Sequence, residues 1–247
     1  MRPEDPSRLC IHSPSHPSPP PQPAMPSPSH ATSPPPPSRI LIVGAGGFGR
    51  EVLAWARDAW PHWQDRLAGF LSADPEILQG HSCDLPVLAD PANFTPEPGD
   101  ALLLAIGVPG TRRAVAEDLA SRGGRFLTLV HPSATVVPTA TLGPGCIICP
   151  HAVISDAAVL GSCVLVNYHA SLAHDCKAGD FAVLSPYATL GGSSEIGPDT
   201  FLGLHASVAP RITVGGASKI TANSCCLHPA PAGSLIHGVP GRISRLV

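Results

Sequence analysis

The sequence predicts a Rossmann-like α/β domain followed by a left-handed parallel β-helix, and two observations carry that reading. The first is an unbroken six-residue rhythm. Cut from Val136, the chain reads VVPTAT, LGPGCI, ICPHAV, ISDAAV and onward to ITANSC, and all fifteen hexads begin with an apolar residue, from Val136, Leu142 and Ile148 through Val214 and Ile220. At an apolar content of 43%, such a run arises by chance about three times in a million. The fifth position is nearly always Ala, Cys, Ser or Thr. A period of six fits neither an amphipathic helix nor an alternating strand. It fits a coil with three short faces of six residues each, in which the first residue plugs the interior and the small fifth one fits beside it at a tight corner. The fifteen hexads then make about five turns of 18 residues.

The second observation is the change of texture upstream. Ile40-Leu41-Ile42-Val43 leads into Gly44-Ala45-Gly46-Gly47-Phe48-Gly49 and then into residues 50–59 of helical composition, which reads as strand, glycine turn and helix. Further strands are expected over 67–71, over 101–106 ending at Gly107, and over 126–130, with a helix over 111–122, giving a parallel α/β domain of about four strands. His131-Pro132-Ser133 marks the handover, because proline cannot continue a central strand. The domains are therefore 39–131 and 132–247, the latter with a short C-terminal tail. Residues 1–38 hold 14 of the 31 prolines and are expected to be a disordered tail; Met25 inside it offers a later translation start.

Composition removes several classes of function. Net charge is −3, and no run of Lys or Arg could track a phosphate backbone, so nucleic acid is not an expected partner. The longest apolar stretches, such as 101–106, are far shorter than a membrane span, and the N-terminus lacks the apolar centre of a signal peptide. A cytoplasmic protein with no membrane partner is the expectation. Of the eight cysteines, Cys146, Cys149, Cys163 and Cys176 fall inside the hexads at spacings the repeat already explains, and no second C-x-x-C accompanies Cys146/Cys149. They are expected to be reduced and structural rather than metal ligands.

Taken together, the hexads, Gly44-Ala45-Gly46-Gly47 after the first strand, Ala105-Ile106-Gly107 after a later one, Asn167 followed seven residues on by His174-Asp175-Cys176, and the closing Gly238-Val239-Pro240 form a recognisable set. From Ile40 to Arg242 the chain resembles the bacterial left-handed β-helix sugar acetyltransferases, the family that includes sialic acid O-acetyltransferase and the UDP-4-amino-sugar N-acetyltransferases. The resemblance implies acetyl-CoA as cosubstrate, a sugar or UDP-sugar acceptor, no metal, and a homotrimer with catalytic sites between neighbouring subunits. It also implies a catalytic histidine at His174 with an acidic neighbour, Asp175, and acetyl-CoA along Gly192, Leu204 and Ala222.

The chemistry agrees with that placement. Acyl transfer from a thioester needs a base near the acceptor and donors for the oxyanion. A neutral imidazole at His174 can take the acceptor's proton, with Asp175 fixing its tautomer. Asn167 is expected close by on the same strip of coil, hydrogen-bonding the sugar or the acyl carbonyl. Residues 18 apart lie on adjacent coils about 4.8 Å apart, so Gly192 falls over His174, and its unobstructed N–H is the candidate oxyanion donor. The same arithmetic stacks His151, His169, Tyr187 and His205 in one column, either a polar ladder at a subunit interface or contacts to substrate beside His174. Relatives often carry a second histidine nine residues after the base; here that residue is Val183. In the α/β domain the glycine turn fits G-x-G-x-x-G, but the second strand ends Leu71-Ser72-Ala73 with no acid for a ribose, so a nucleotide-sugar phosphate lined by Gly46, Gly47, Phe48 and Gly107 fits better than a dinucleotide.

Two readings from other classes compete. A zinc hydratase of the γ-carbonic-anhydrase type shares the β-helix, and His169 with His174 gives its H-x4-H pair, but Ser133 stands where its third histidine belongs. A non-catalytic β-helix scaffold is the other.

Overall fold

The structure, a computed structural model, describes residues 36–246. The tail expected over 1–38 lies outside the described residues except for Pro36, Pro37 and Ser38. The last two already touch the α/β domain: Arg66 Nη1 donates to Pro37 O at 2.6 Å and Ser38 N–H donates to Gly99 O at 2.9 Å.

The α/β domain is a four-stranded parallel sheet. Its strands are β1 (Arg39–Val43), β2 (Leu67–Leu71), β3 (Val87–Ala89) and β4 (Asp100–Leu104), in the order β3-β2-β1-β4. Four of the five residues of β1 and all five of β4 are buried, as the continuous apolar runs require of strands covered on both faces. Helices α1 (Gly47–Ala59) and α2 (Pro109–Ser121) follow β1 and β4. In α1 the buried residues Gly49, Val52, Leu53 and Ala56 recur at the spacing of one helical face. Two assignments from the sequence need correction. The third strand is Val87–Ala89, a half-buried edge segment too short and too polar in its surroundings to announce itself. The strand expected over 126–130 is not a sheet element of this domain. Phe126 makes a single bridge to Leu102, and Leu129–Val130 pairs with Ile147–Ile148 as the first strand of the β-helix. The coil therefore starts before Pro132, because Leu129 N–H reaches the carbonyl of Cys146 one coil on and takes the ladder bond there.

From Leu129 onward, two-residue strands recur every six residues and pair in parallel with the strand 18 residues away. Three faces result, and we refer to them as first (beginning Leu129–Val130), second (Thr135–Val136) and third (Thr141–Leu142), of a left-handed β-helix. The first face continues past the last hexad through Ser234–His237, so the coil is longer than the five turns counted from the hexads, and the antiparallel strand Arg242–Arg245 closes its edge. Inside, Ile148, Val166, Leu184, Leu202 and Ile220 stack rung on rung from the first face, with small residues such as Ala152, Ala170 and Ala188 between them.

Thirteen corners are made by non-glycine residues in the left-handed conformation, every sixth residue from His151 to Asn223, with φ between 52° and 62°. Such a conformation costs roughly 1–2 kcal/mol per residue. An inter-coil hydrogen bond offsets it at each corner, for example Asp175 N–H to Asp156 O and Ser193 N–H to His174 O, both at 2.9 Å. The three faces differ outside. On the first, Ile147, Leu165, Val183 and Phe201 point outward into the apolar cluster that contains Val52, Leu53 and Ala56 of α1, so the α/β domain covers this face. The second presents Val153, Ser171, Thr189 and Ser207, and the third presents Val159, Lys177, Glu195 and Thr213. Arg113 of α2 fastens the domains further, forming an ion pair with Asp199 while lying 4.3 Å over the Phe181 ring.

Candidate active site

The corner between the second and third faces gathers three of the expected residues. His174 follows the strand Ser171–Leu172, and Asp175 is the left-handed residue of that corner. The backbone turn throws the two side chains together: His174 Nδ1 lies 2.7 Å from Asp175 Oδ2. An ionised carboxylate only accepts, so the proton sits on Nδ1 and the lone pair of Nε2 is left free. Gly192 is one coil on. A Cβ built on it would stand 2.6 Å from Nε2 and 2.7 Å from Cε1 of His174, so the imidazole lies against a backbone segment with no side chain. Among the described residues the Gly192 N–H finds no acceptor. A basic nitrogen, an orienting carboxylate and an unused amide thus share one spot. The His174 and Asp175 side chains are 63% and 59% exposed, so a ligand can reach them.

Asn167 is elsewhere. It follows the strand Leu165–Val166 of the first face and precedes the corner between first and second faces, so within one chain a whole face separates it from His174. The expectation that all three would share one strip of coil fails because each hexad turns the chain through a corner. Asn167 Oδ1 accepts the N–H of Tyr168 at 2.8 Å. Leu204 and Ala222 also occupy that earlier corner, 18 residues apart on adjacent coils, with Leu204 51% exposed.

The same corner carries the ladder. His151, His169, Tyr187 and His205 stack with ring centroids 5.0, 4.8 and 4.6 Å apart and planes within 16°. Below His151, Ser133 Oγ accepts the His151 N–H at 3.1 Å. His169 therefore packs between His151 and Tyr187, one corner away from His174. Val183, nine residues after His174, is buried at the junction with the α/β domain.

The glycine turn gathers the second group of expected residues. Gly44 has φ +105°, and a Cβ there would meet Ala105 O at 2.6 Å, so the turn lies directly against the segment that follows β4. At Gly49 a Cβ would meet Gly44 O at 2.0 Å, so only glycine lets the helix start this close to the strand. Gly46, Gly47 and Gly107, by contrast, have open space on the side where a Cβ would project, apart from Arg50 at 3.9 Å from Gly47. Gly46 caps α1 without a side-chain bond and the first turn holds no acid, leaving amide donors and the positive end of the helix dipole unopposed. Phe48 stands beside them, its ring 5.9 Å from that of Trp55. The sheet order places this crevice where β1 meets β4, at the carboxyl ends of the strands, the usual ligand site of a parallel sheet.

Among the described residues all seven cysteines are free. Burial pushes the Cys146 thiol up to about 11 and Cys149 well above the usual thiol range. In native protein at neutral pH a thiol-reactive dye is expected to label the half-exposed Cys83 and Cys225 and to spare Cys146, Cys149 and Cys176 until the chain unfolds. Peptide mapping of the labelled protein checks this; fast labelling of Cys149 would mark an opening the packing does not contain.

A family model described as the PglD N-terminal domain matches residues 39–119. GDP-perosamine N-acetyltransferase of Escherichia coli O157:H7 is 27% identical over 145 residues, which are 56% of this chain and 65% of the relative's length. Among solved structures, PerB from Caulobacter crescentus in complex with CoA and GDP-perosamine superposes with a TM-score of 0.75 at 29% identity, covering 83% of this chain and 97% of PerB. The acetyltransferase domain of PglB from Neisseria gonorrhoeae, in complex with acetyl coenzyme A, also gives 0.75, at 28% identity over 84% of this chain and all of that domain. WeeI from Acinetobacter baumannii shares the fold with a TM-score of 0.75 at 24% identity. The family model thus covers the α/β domain, and the sugar acetyltransferases PerB and PglB are similar to this chain across both that domain and the hexad-built left-handed β-helix.

Proposed function

We propose that the chain transfers the acetyl group of acetyl-CoA to an amino group of a nucleotide-linked sugar. The observation that carries this is the His174–Asp175–Gly192 arrangement, with a free Nε2 against a glycine whose amide is unused. The amine nitrogen attacks the thioester carbonyl while His174 Nε2 takes its proton. The Gly192 N–H donates to the oxyanion, and collapse expels the CoA thiolate, which recovers the proton from His174. The nucleotide diphosphate sits in the crevice of Gly46, Gly47, Phe48 and Gly107. Relatives named for GDP-perosamine and solved with CoA support both halves of the reading. A hydroxyl acceptor is the second form, and uridine and guanosine carriers are both open to the crevice. The proposal places the enzyme in the cytoplasm, where acetyl-CoA is at hand; among the described residues no helix is long and apolar enough to cross a membrane.

The same proposal includes a homotrimer. The second face presents small uncharged residues, whereas the third carries Lys177 and Glu195, so the second face is the one suited to burial against a copy. Its two edges are the ladder corner, with Asn167, Leu204 and Ala222, and the His174 corner. Three copies around an axis parallel to the coil bring one edge of each beside the other edge of the next. Asn167 then completes the site of a neighbour.

Thiol release from acetyl-CoA against a panel of UDP- and GDP-linked amino sugars and free sialic acids tests the reaction; no release with any acceptor would sink it. Subunit mixing tests the placement. Co-expressed His174→Ala and Asn167→Ala chains are expected to regain activity that neither has alone, since a mixed interface pairs an intact His174 with an intact Asn167. Absence of recovery in verified mixed trimers would put both residues in one subunit's site.

A further inference from the structure

Arg112 is, among the described residues, the one charged side chain completely withdrawn from solvent. It lies in the first turn of α2. Its Nε donates to Cys163 O at 2.7 Å, and its Nη1 donates to Leu104 O at 2.6 Å and Ile106 O at 2.9 Å; Nη2 has no partner. Four other guanidinium groups of this domain have carboxylates: Arg39 has Asp100, Arg57 has Asp84, Arg113 has Asp199 and Arg122 has Asp118. Arg112 has none. Burial lowers it to about 10, so it stays charged at neutral pH.

A buried cation without a counter-charge is costly, and an apolar side chain of similar volume would hold a helix in place at less cost. What the charge adds is therefore to be sought in its surroundings. The two carbonyls held by Nη1 end β4 and lead straight into Gly107, and Ala105 between them is the residue that Gly44 rests against. Arg112 thus sits behind the back wall of the glycine crevice. The front of that wall is lined by glycines with open space and by the start of α1, and neither α1 nor α2 has an acid in its first turn. Through a thin wall of low dielectric, a fixed positive charge acts on an anion in front of it with little screening.

We propose that Arg112 is the buried counter-charge for the diphosphate of the nucleotide-sugar, a positioning residue that fixes the Gly107 segment by its carbonyls and favours a multiply charged ligand without touching it. This rests on the nucleotide-sugar reading of the crevice. It assigns a function to the unpaired charge, which acts from behind the crevice in addition to Arg50 beside Gly47.

The test is calorimetric titration of UDP, GDP and the corresponding monophosphates into wild-type, Arg112→Lys and Arg112→Met protein, with KM for acetyl-CoA measured alongside. Wild type is expected to prefer the diphosphate. Arg112→Met should weaken the diphosphate tenfold or more, about 1.4 kcal/mol per tenfold, and the monophosphate distinctly less, with KM for acetyl-CoA within twofold. Arg112→Lys, which keeps the charge and loses carbonyl bonds, should retain most of the preference for diphosphate. Arg112→Gln replaces Arg112→Met if the latter fails to fold. Equal losses for mono- and diphosphate in the charge-free variant would reduce Arg112 to a structural strut and overturn the proposal. If the wild type binds neither diphosphate, the nucleotide-sugar reading itself fails, which is a separate result.

Discussion

Replacing His174 by Ala is expected to lower kcat by a factor of about 10² to 10⁴, the usual contribution of a positioned general base. The side chain is 63% exposed and bonded only to its neighbour Asp175, so stability should change by no more than about 0.5 kcal/mol. That separation of activity from stability is the signature of a group acting on substrate rather than on the coil. The deficit should also depend on pH. An amine acceptor loses its proton to solvent more readily as pH rises, so the gap between variant and wild type should narrow towards the pKa of the acceptor amine. A loss that stays constant across pH would point to mispositioned substrate instead of a missing base. Asp175→Asn leaves a side chain of the same shape that can donate to Nδ1, which favours the tautomer with the proton on Nε2. The nitrogen facing the acceptor is then no longer a base, and kcat should fall although KM for acetyl-CoA holds. Steady-state kinetics on the three proteins between about pH 6 and 9, with thermal denaturation as the control, decide the matter. Activity within threefold of wild type for His174→Ala would remove His174 from the mechanism.

Much of this architecture is legible in the order of the residues, and the reason is geometric. In a coil of fixed period, sequence position is a spatial coordinate, so residue 192 falls over residue 174 by counting alone, and the ladder from His151 to His205 follows from the same count. The hexads hold more than their first positions reveal. The residue before each interior plug faces outward, and on the first face it is Ile147, Leu165, Val183 and Phe201, whereas on the third it includes Lys177 and Glu195. That contrast marks the face covered by the α/β domain. The third hexad position is Pro at 138, 144, 150, 186, 198 and 210. A residue without an N–H is tolerated where no inter-coil bond is needed, which is why Gly192, at the same position, keeps an unused amide.

Other features leave no local trace. Asn167 and His174 are seven residues apart, a distance that reads as proximity on a helix, but in a three-faced coil it spans a corner and a face. Leu129–Val130 resembles a strand of the α/β sheet because an isolated apolar pair does not say which neighbour it will bond. Arg112 is one of two consecutive arginines in an amphipathic segment. Only the packing of α2 against both β4 and the coil shows that Arg113 faces Asp199 while Arg112 is enclosed.

Gly192→Ala is the other change expected to have a large effect, and it is informative because a neighbouring glycine supplies the contrast. Neither Gly191 nor Gly192 has a positive φ, so alanine is conformationally acceptable at both. What differs is the obstacle. A Cβ at Gly191 would run into the backbone of the next coil, 2.7 Å from Pro210 N and 2.9 Å from Val208 O, neither of which can move without disturbing the coil. A Cβ at Gly192 meets only the imidazole of His174, at 2.6 Å from Nε2 and 2.7 Å from Cε1. That ring is exposed and can swing out of the way at small cost. Gly191→Ala should therefore lower the melting temperature, and Gly192→Ala should leave it nearly unchanged. In Gly192→Ala the methyl takes the place where base and amide converge, so the ring leaves Asp175 and the oxyanion donor is screened. A loss of about 10² to 10³ in kcat is expected, comparable to removing one oxyanion donor elsewhere. Combining it with His174→Ala gives the decisive measurement. Once the imidazole is gone the added methyl has nothing to displace, so the part of its effect that acts through the ring should disappear, and the double variant should fall well short of the product of the two single losses. Whatever loss remains on adding Gly192→Ala to His174→Ala measures the amide's own contribution to the oxyanion. Full multiplicativity of the two effects would mean that ring and glycine act independently, contrary to a site in which they share one reacting centre.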